Sequence, residues 1–133
     1  MAAVVRLAAA FDRDAYGLRV TVREAVAAPP HDLLRPDIGL LRPRAPRCAP
    51  AATPAAHLAL AVLAAAHADE VGERLRRYAL AGIAEVWVLS VVEALGVAYA
   101  DPSAGRYRRR WLLLPGEPCA PEALPWARVV PLL

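Results

Sequence analysis

The chain has 133 residues, of which 58% are hydrophobic and 22% are charged, and its formal net charge is +3. This length fits one domain, residues 1–133, and the hydrophobic share excludes a disordered chain. The longest apolar run, residues 58–66, is too short for a membrane-spanning helix, and the N-terminus lacks the plan of a signal peptide. We therefore expect a soluble cytoplasmic protein without a membrane partner.

Residues 1–14 predict an amphipathic helix, because apolar side chains recur at helical spacing along one face. That stripe consists of Val4, Leu7, Ala8 and Phe11. Residues 18–26 alternate apolar and polar side chains, as a half-buried strand does. After a proline-containing turn, residues 33–41 form a second predicted strand.

A proline-rich loop and two buried strands are predicted in the middle of the chain. Residues 42–54 contain four prolines and three arginines. Such a segment is either a solvated connector or a basic arm that contacts phosphate. Residues 57–64 and 85–90 are apolar on both faces, which is typical of strands in the middle of a covered sheet.

The segment between these two strands predicts a helix. Acidic residues stand at its start, where the helix dipole favours negative charge, and Gly82 follows its end. Two acid–base pairs have the (i, i+4) spacing that favours ion pairs on a helix surface. They are Glu70–Arg74 and Glu73–Arg77.

The C-terminal part of the chain predicts a hairpin and a tail. Residues 95–100 and 106–114 flank a turn that contains glycine, which indicates a β-hairpin. Residues 116–125 form a proline-rich loop. Residues 126–133 are predicted to form a short final strand.

The second arm of the hairpin carries a cluster of arginines, Arg106, Arg108, Arg109 and Arg110. Strand alternation predicts that Arg108 and Arg110 lie on the face opposite Tyr107, and that Arg109 and Trp111 share the face of Tyr107. Arginine beside aromatic residues suits contacts with both phosphates and bases. We therefore expect this cluster to bind nucleic acid.

Three segments occur in a characteristic order: RPDIGL at 35–40, GERLRRYALAGI at 72–83 and AEVWVL at 84–89. Their order and spacing resemble the Uma2-type family of restriction-endonuclease-like proteins, whose fold is similar to that of the PD-(D/E)xK nucleases. The resemblance extends over residues 18–114 and implies a shortened member. It also implies an α/β fold with a central mixed β-sheet flanked by helices.

The resemblance implies a metal-dependent site with altered residues. In such nucleases, carboxylates at the ends of adjacent strands hold Mg²⁺ or Mn²⁺, which polarises the scissile phosphate and activates water. Asp37 matches the first carboxylate and metal ligand, whereas the family's glutamate falls on Ala61 and its lysine on Arg74. Alanine has no ligand atom, and arginine stays protonated and cannot act as a base. Glu70 and Asp69, at the helix start, are the candidates for a replacement carboxylate.

Three functions stay open at this point. The first is a nuclease-fold protein with impaired catalysis that binds nucleic acid or a partner, such as DNA or a second copy of the chain in a homodimer. The second is an active Mg²⁺-dependent DNA endonuclease whose rearranged catalytic site uses Asp37, Glu70 and Arg74. The third is a small protein-interaction domain without a nucleic-acid role.

Overall fold

A computed structural model describes residues 2–14, 19–28, 32–42 and 53–130, and these residues form two α-helices and nine strands. The helices are α1 (Ala2–Asp14) and α2 (Gly72–Leu80). The strands are β1 (Val20–Val22), β2 (Val26–Ala28), β3 (Asp32–Leu34), β4 (Ile38–Leu41), β5 (Thr53–Pro54), β6 (Leu58–Ala65), β7 (Glu85–Ser90), β8 (Leu95–Ser103) and β9 (Arg106–Leu113). Short 3₁₀ turns, Ala55–His57 and Ala68–Val71, precede β6 and α2.

Six strands form one mixed sheet in the order β1-β4-β6-β7-β8-β9. Strands β6 and β7 are parallel, so the chain crosses over between them through α2, and the other neighbouring pairs are antiparallel. A separate three-stranded sheet has the order β3-β2-β5. The predicted α/β class, a central mixed sheet flanked by helices, is confirmed.

The large sheet separates two apolar cores. On one face, α1 and the C-terminal segment, residues 115–130, cover the sheet, and the Phe11 ring lies 5.8 Å from the ring of Trp87. On the other face, α2 and the small sheet cover it. The predicted stripe of α1 is confirmed, because Val4, Leu7 and Phe11 are all buried. Full burial of one such side chain stabilises the fold by about 1.5–3 kcal/mol.

Both of the first two predicted strands are divided in the structure. Of the first, residue 18 lies outside the described residues, and residues 19–26 contain β1 and the start of β2, which belong to different sheets because Arg23 between them has a left-handed φ of 54°. Residues 33–41 are divided between β3 and β4, and the break contains Pro36, which has no N–H to donate to a ladder. The chain thus leaves the large sheet after β1, builds part of the small sheet and returns in β4.

The end of α2 agrees with its prediction, whereas its ion pairs do not. Gly82 follows the helix with a φ of 75°, which glycine adopts without the penalty of a Cβ atom. Arg77 hydrogen-bonds to Asp32 of β3 rather than to Glu73. Tertiary contacts therefore take precedence over local (i, i+4) spacing on this helix.

Two further predictions concern loops and the C-terminus. Residues 43–52 of the predicted exposed loop lie outside the described residues, and Thr53–Pro54 belongs to β5. Of the predicted final strand, residues 131–133 lie outside the described residues, and residues 126–130 contain an isolated antiparallel bridge between Val129 and Cys119. Within the described residues, no helix has the length and apolar character needed to cross a bilayer.

Candidate functional site

Asp37 lies immediately before β4 and is tied to the neighbouring strand β6. Its Oδ2 atom accepts a hydrogen bond of 2.8 Å from the backbone N–H of Ala64. The antiparallel register, in which Ile38 faces Val62, brings these two positions together. The Asp37 side chain is 15% exposed, so most of its surface is covered by protein.

Two guanidinium groups approach the two oxygens of this carboxylate. The Nε atom of Arg23 lies 3.7 Å from Oδ1 of Asp37, and Nη2 of Arg74 lies 4.0 Å from Oδ2. Both distances exceed that of a hydrogen bond, so the arginines attract the carboxylate without donating to it. Their side chains are 48% and 39% exposed, which leaves guanidinium donors accessible to solvent.

Arg23 is placed here by an unusual backbone conformation. Its left-handed φ of 54° costs a residue with a Cβ atom about 1–2 kcal/mol relative to ordinary regions. The Arg23 N–H donates to the carbonyl oxygen of Asp37 at 3.2 Å, which holds the two backbones together. The sequence did not predict Arg23 as a site residue. Its position depends on a positive φ, and the alternation of apolar and polar residues does not indicate the sign of φ.

Tyr78 completes the cluster from α2. The charges of Arg74 and Asp37 both act on its hydroxyl. Burial raises the pKa of Tyr78 to about 12, so the phenol stays protonated near neutral pH. The side chain lies in the core between α2 and the large sheet.

The residues around Asp37 do not fit Mg²⁺ or Mn²⁺. Ala61 is completely buried, between Gly39 of β4 and Val86 of β7, and its methyl group offers no ligand. Such ions prefer several oxygen ligands, whereas Asp37 is accompanied by two cationic side chains. Among the described residues, no group of three or more His, Cys, Asp or Glu side chains could hold a metal ion.

Glu70 lies in the 3₁₀ turn before α2, on the wall of a cavity of about 780 Å³. The cavity combines acidic, basic and apolar side chains. Its lining consists of His67, Ala68, Asp69, Glu70, Glu93, Leu95, Val97, Tyr99, Arg110 and Leu112. The structure therefore brings Asp37 and Arg74 together and places Glu70 in a cavity that Asp37 does not line.

The arginines of β9 differ in their surroundings. Arg109 forms two hydrogen bonds with Glu122, of 2.9 and 2.7 Å, and its guanidinium lies 5.8 Å from the Trp111 ring centre. Arg108 is exposed and lies 3.9 Å from Asp101. Arg106 and Arg110 are also exposed. Arg109 is therefore bound by Glu122, Arg108 lies near Asp101, and Arg106 and Arg110 are exposed to solvent.

The predicted distribution of side chains across β9 is wrong for Tyr107. Its ring packs on the α2 face, where its hydroxyl donates to the carbonyl oxygen of Ile83 at 2.7 Å. Trp111, in contrast, packs on the α1 face. Asp101 of β8, which has a φ of 63°, has no partner in the described ladder with β9, and the register is the same on both sides of it.

Comparison with known proteins bears on the fold. No family model and no curated protein sequence matches the chain. Solved structures do match, among them a protein from Anabaena variabilis ATCC 29413 described as a "putative nuclease belonging to DUF820". The two chains are 12% identical over 93% of this chain and 72% of the other, with a TM-score of 0.68. The assignment to the Uma2-type family stays a prediction, and the comparison shows that this chain has a nuclease-like α/β fold.

Proposed function

We propose that this protein uses a nuclease-like fold to bind nucleic acid without cleaving it. The observation that carries the proposal is the pair of guanidinium groups beside Asp37, together with a buried alanine where a second carboxylate would be needed. Two unit charges of like sign 4 Å apart repel by about 4 kcal/mol at an effective dielectric constant of 20. A divalent cation beside Asp37 would meet this repulsion from both arginines.

Support for a nucleic-acid partner comes from β9. Arg106, Arg108 and Arg110 project from an exposed strand at one end of the large sheet. Arginine donates to phosphate in a planar fork and keeps its charge at physiological pH. Tyr99 faces Arg110 across the hairpin and offers an aromatic surface beside it. Arg109 contributes less, because Glu122 already pairs with it.

The absence of cleavage is tested by nicking of supercoiled plasmid in Mg²⁺ or Mn²⁺, with wild-type protein and Asp37→Asn purified identically. We expect no metal-dependent nicking by either protein. Nicking that requires the metal and disappears in Asp37→Asn would overturn the proposal. That result would favour an active endonuclease built around Asp37, Arg74 and a replacement carboxylate such as Glu70.

Binding is tested by fluorescence anisotropy of a labelled DNA oligonucleotide over a range of salt concentrations. We expect affinity to fall steeply with salt, because each neutralised phosphate contributes about 0.7–0.9 to the logarithmic slope. Replacing Arg106, Arg108 and Arg110 together by serine should weaken binding and flatten this slope. Arg76→Ser is the matched control, since Arg76 is an exposed arginine of α2 that pairs with Glu73.

Failure of the wild-type protein to bind DNA or RNA oligonucleotides at low salt would contradict the proposed nucleic-acid role. The chain would then be better explained as a protein-interaction domain. An equal loss of affinity in Arg76→Ser and in the β9 variant would contradict the assignment of binding to β9.

A further inference from the structure

We infer that Arg23 and Arg74 form a phosphate-binding site that works without a metal ion. The choice of phosphate rests on the proposed function, because phosphate is the oxyanion that a nucleic-acid-binding protein meets. The residues of the site differ from those of β9, so the two surfaces can be tested separately.

The charge of the cluster favours an anion. Two guanidinium groups face the single carboxylate of Asp37, which leaves one positive charge uncompensated. Asp37 lies 3.7 and 4.0 Å from the nearest guanidinium nitrogens and takes up none of their hydrogen bonds. A phosphate group would supply both the missing negative charge and the missing acceptors.

The donors also have the right chemistry. Each arginine offers five N–H groups in a planar arrangement that matches phosphate oxygens, and these charge-assisted hydrogen bonds are stronger than neutral ones. Arg23 and Arg74 remain 48% and 39% exposed, so a ligand can reach them from solvent.

The backbone at Arg23 is a second observation in favour of a site. A left-handed conformation in a residue other than glycine is unfavourable and persists only where surrounding contacts impose it. Here the conformation ends β1 and turns the Arg23 side chain towards Asp37, and the N–H of Arg23 is bonded to the Asp37 carbonyl. The backbone carbonyl of Asp37 thus helps to hold the Arg23 backbone in place.

This arrangement gives a physical reason for the poor fit of a metal ion. A metal-dependent nuclease would place a divalent cation beside this carboxylate to attract a phosphate. Arg23 and Arg74 together carry the same charge of +2 at the same carboxylate. They can attract the phosphate, but they provide no metal-bound water to attack it.

The first test is calorimetric titration of the full chain with inorganic phosphate, in EDTA and at constant ionic strength. We expect binding by the wild-type protein and at least a ten-fold weaker affinity in Arg23→Gln and in Arg74→Gln. The control Arg76→Gln should bind like the wild type. Wild-type affinity in both Arg23→Gln and Arg74→Gln, or binding that EDTA abolishes, would overturn the inference.

Asp37→Asn provides a test in the opposite direction. It removes the negative charge beside the ligand, so inorganic phosphate should bind several-fold more tightly than to the wild type. An unchanged or weaker affinity would contradict a phosphate position next to this carboxylate. This variant also keeps the site testable if Arg23→Gln does not fold, since it retains both arginines.

Oligonucleotides with and without a 5′-phosphate distinguish the sources of the phosphate group. If the wild type binds the 5′-phosphorylated oligonucleotide more tightly and Arg74→Gln does not, the site binds a terminal phosphate. If Arg74→Gln lowers the affinity for both oligonucleotides equally, the site binds an internal phosphate. The β9 serine variant should still bind inorganic phosphate. If it does while wild-type protein binds no nucleic acid, the proposed function fails and the phosphate site stands. If nucleic acid binds through β9 but inorganic phosphate does not bind, the phosphate site fails and the proposed function stands.

Discussion

Glu85 is a buried carboxylate that joins β7 to the C-terminal segment. Its side chain is only 2% exposed, and both oxygens accept hydrogen bonds. Trp87 Nε1 donates to Oε2 at 2.6 Å, and the backbone N–H of Glu122 donates to Oε1 at 2.7 Å. Loss of hydration raises the pKa of Glu85, whereas these two donors lower it. The carboxylate is retained because it satisfies two N–H groups.

We predict that Glu85→Ala destabilises the protein by about 2–4 kcal/mol, because two donors lose their acceptor and each buried unsatisfied group costs about 1–3 kcal/mol. Urea denaturation followed by tryptophan fluorescence measures the change. Glu73→Ala, on the exposed face of α2, is the control and should shift stability by less than about 0.5 kcal/mol. Equal stability of the two variants would contradict the structural role of Glu85.

The missing carboxylate at Ala61 gives a second prediction at this scale. Ala61→Glu should lower the melting temperature in EDTA, because it introduces a buried carboxyl group into a packed strand. Mn²⁺ should recover part of the loss, since two carboxylates on adjacent strands then face the ion. Differential scanning fluorimetry compares the variant with the wild type. A rise in melting temperature with Mn²⁺ in the wild type as well would show that it already binds the ion.

The residues of the candidate site were predictable to different extents. Asp37 and Arg74 were predicted from the resemblance, and in the structure Nη2 of Arg74 lies 4.0 Å from Oδ2 of Asp37. Arg23 was missed because its role depends on a left-handed φ. Glu70 was proposed from its position before the helix, but the 3₁₀ turn directs it to the wall of a separate cavity. Order along the chain does not fix the direction of a turn.

At the scale of whole elements, the small sheet is attached to α2 through one ion pair. Arg77 donates to both carboxylate oxygens of Asp32 in β3 and also to the carbonyl oxygen of Leu33. The hydrogen bond from Arg77 lowers the pKa of Asp32 below its ordinary value of 3.8. The ionised form of Asp32 is therefore the one that the folded protein favours.

A group whose pKa is lowered on folding stabilises the fold above its unfolded pKa and stops doing so as the pH falls through its folded pKa. We predict that Arg77→Gln lowers the urea midpoint at pH 7 and that its difference from the wild type shrinks at pH values below 3.8. Arg76→Gln, on the same helix, should change the midpoint little at either pH. A difference between Arg77→Gln and the wild type that is independent of pH would exclude Asp32 as the cause.

Element boundaries were harder to predict than element types. The long apolar strands β6 and β7 and the helix between them agree with their patterns, because burial on both faces and a glycine stop are strong signals. The alternation of apolar and polar residues continues across Arg23, so the sequence pattern did not predict the division between β1 and β2. In β9, Tyr107 lies on the face opposite Trp111, which simple alternation did not predict. The division between β1 and β2 occurs at a single residue with positive φ.

At the scale of the whole molecule, β9 is the end strand of the large sheet in the described part of the chain. An exposed end strand can pair with the same strand of another molecule, and charged side chains oppose such pairing. Two copies of β9 brought side by side would place their arginines next to one another. The predicted homodimer stays a prediction, and this edge is not the surface that favours it.

We predict that replacing Arg106, Arg108 and Arg110 together by threonine increases self-association. Threonine favours strands and removes the repulsion between edges. Light scattering coupled to size-exclusion chromatography, at equal protein and salt concentrations, should give a larger mass for the variant than for the wild type. Identical masses would show that the arginines do not protect this edge.

The packing of α1 and the C-terminal segment on one face of the sheet has a practical consequence for handling the protein. The described parts of α1 and of the C-terminal segment lie on that face, whereas α2, with Arg74 and Tyr78, lies on the opposite face. A label on an exposed residue of α1, such as Val5, is therefore separated from Arg74 by the sheet. Such a residue can serve as the anchor point when the protein is immobilised, with Arg74 directed towards solution.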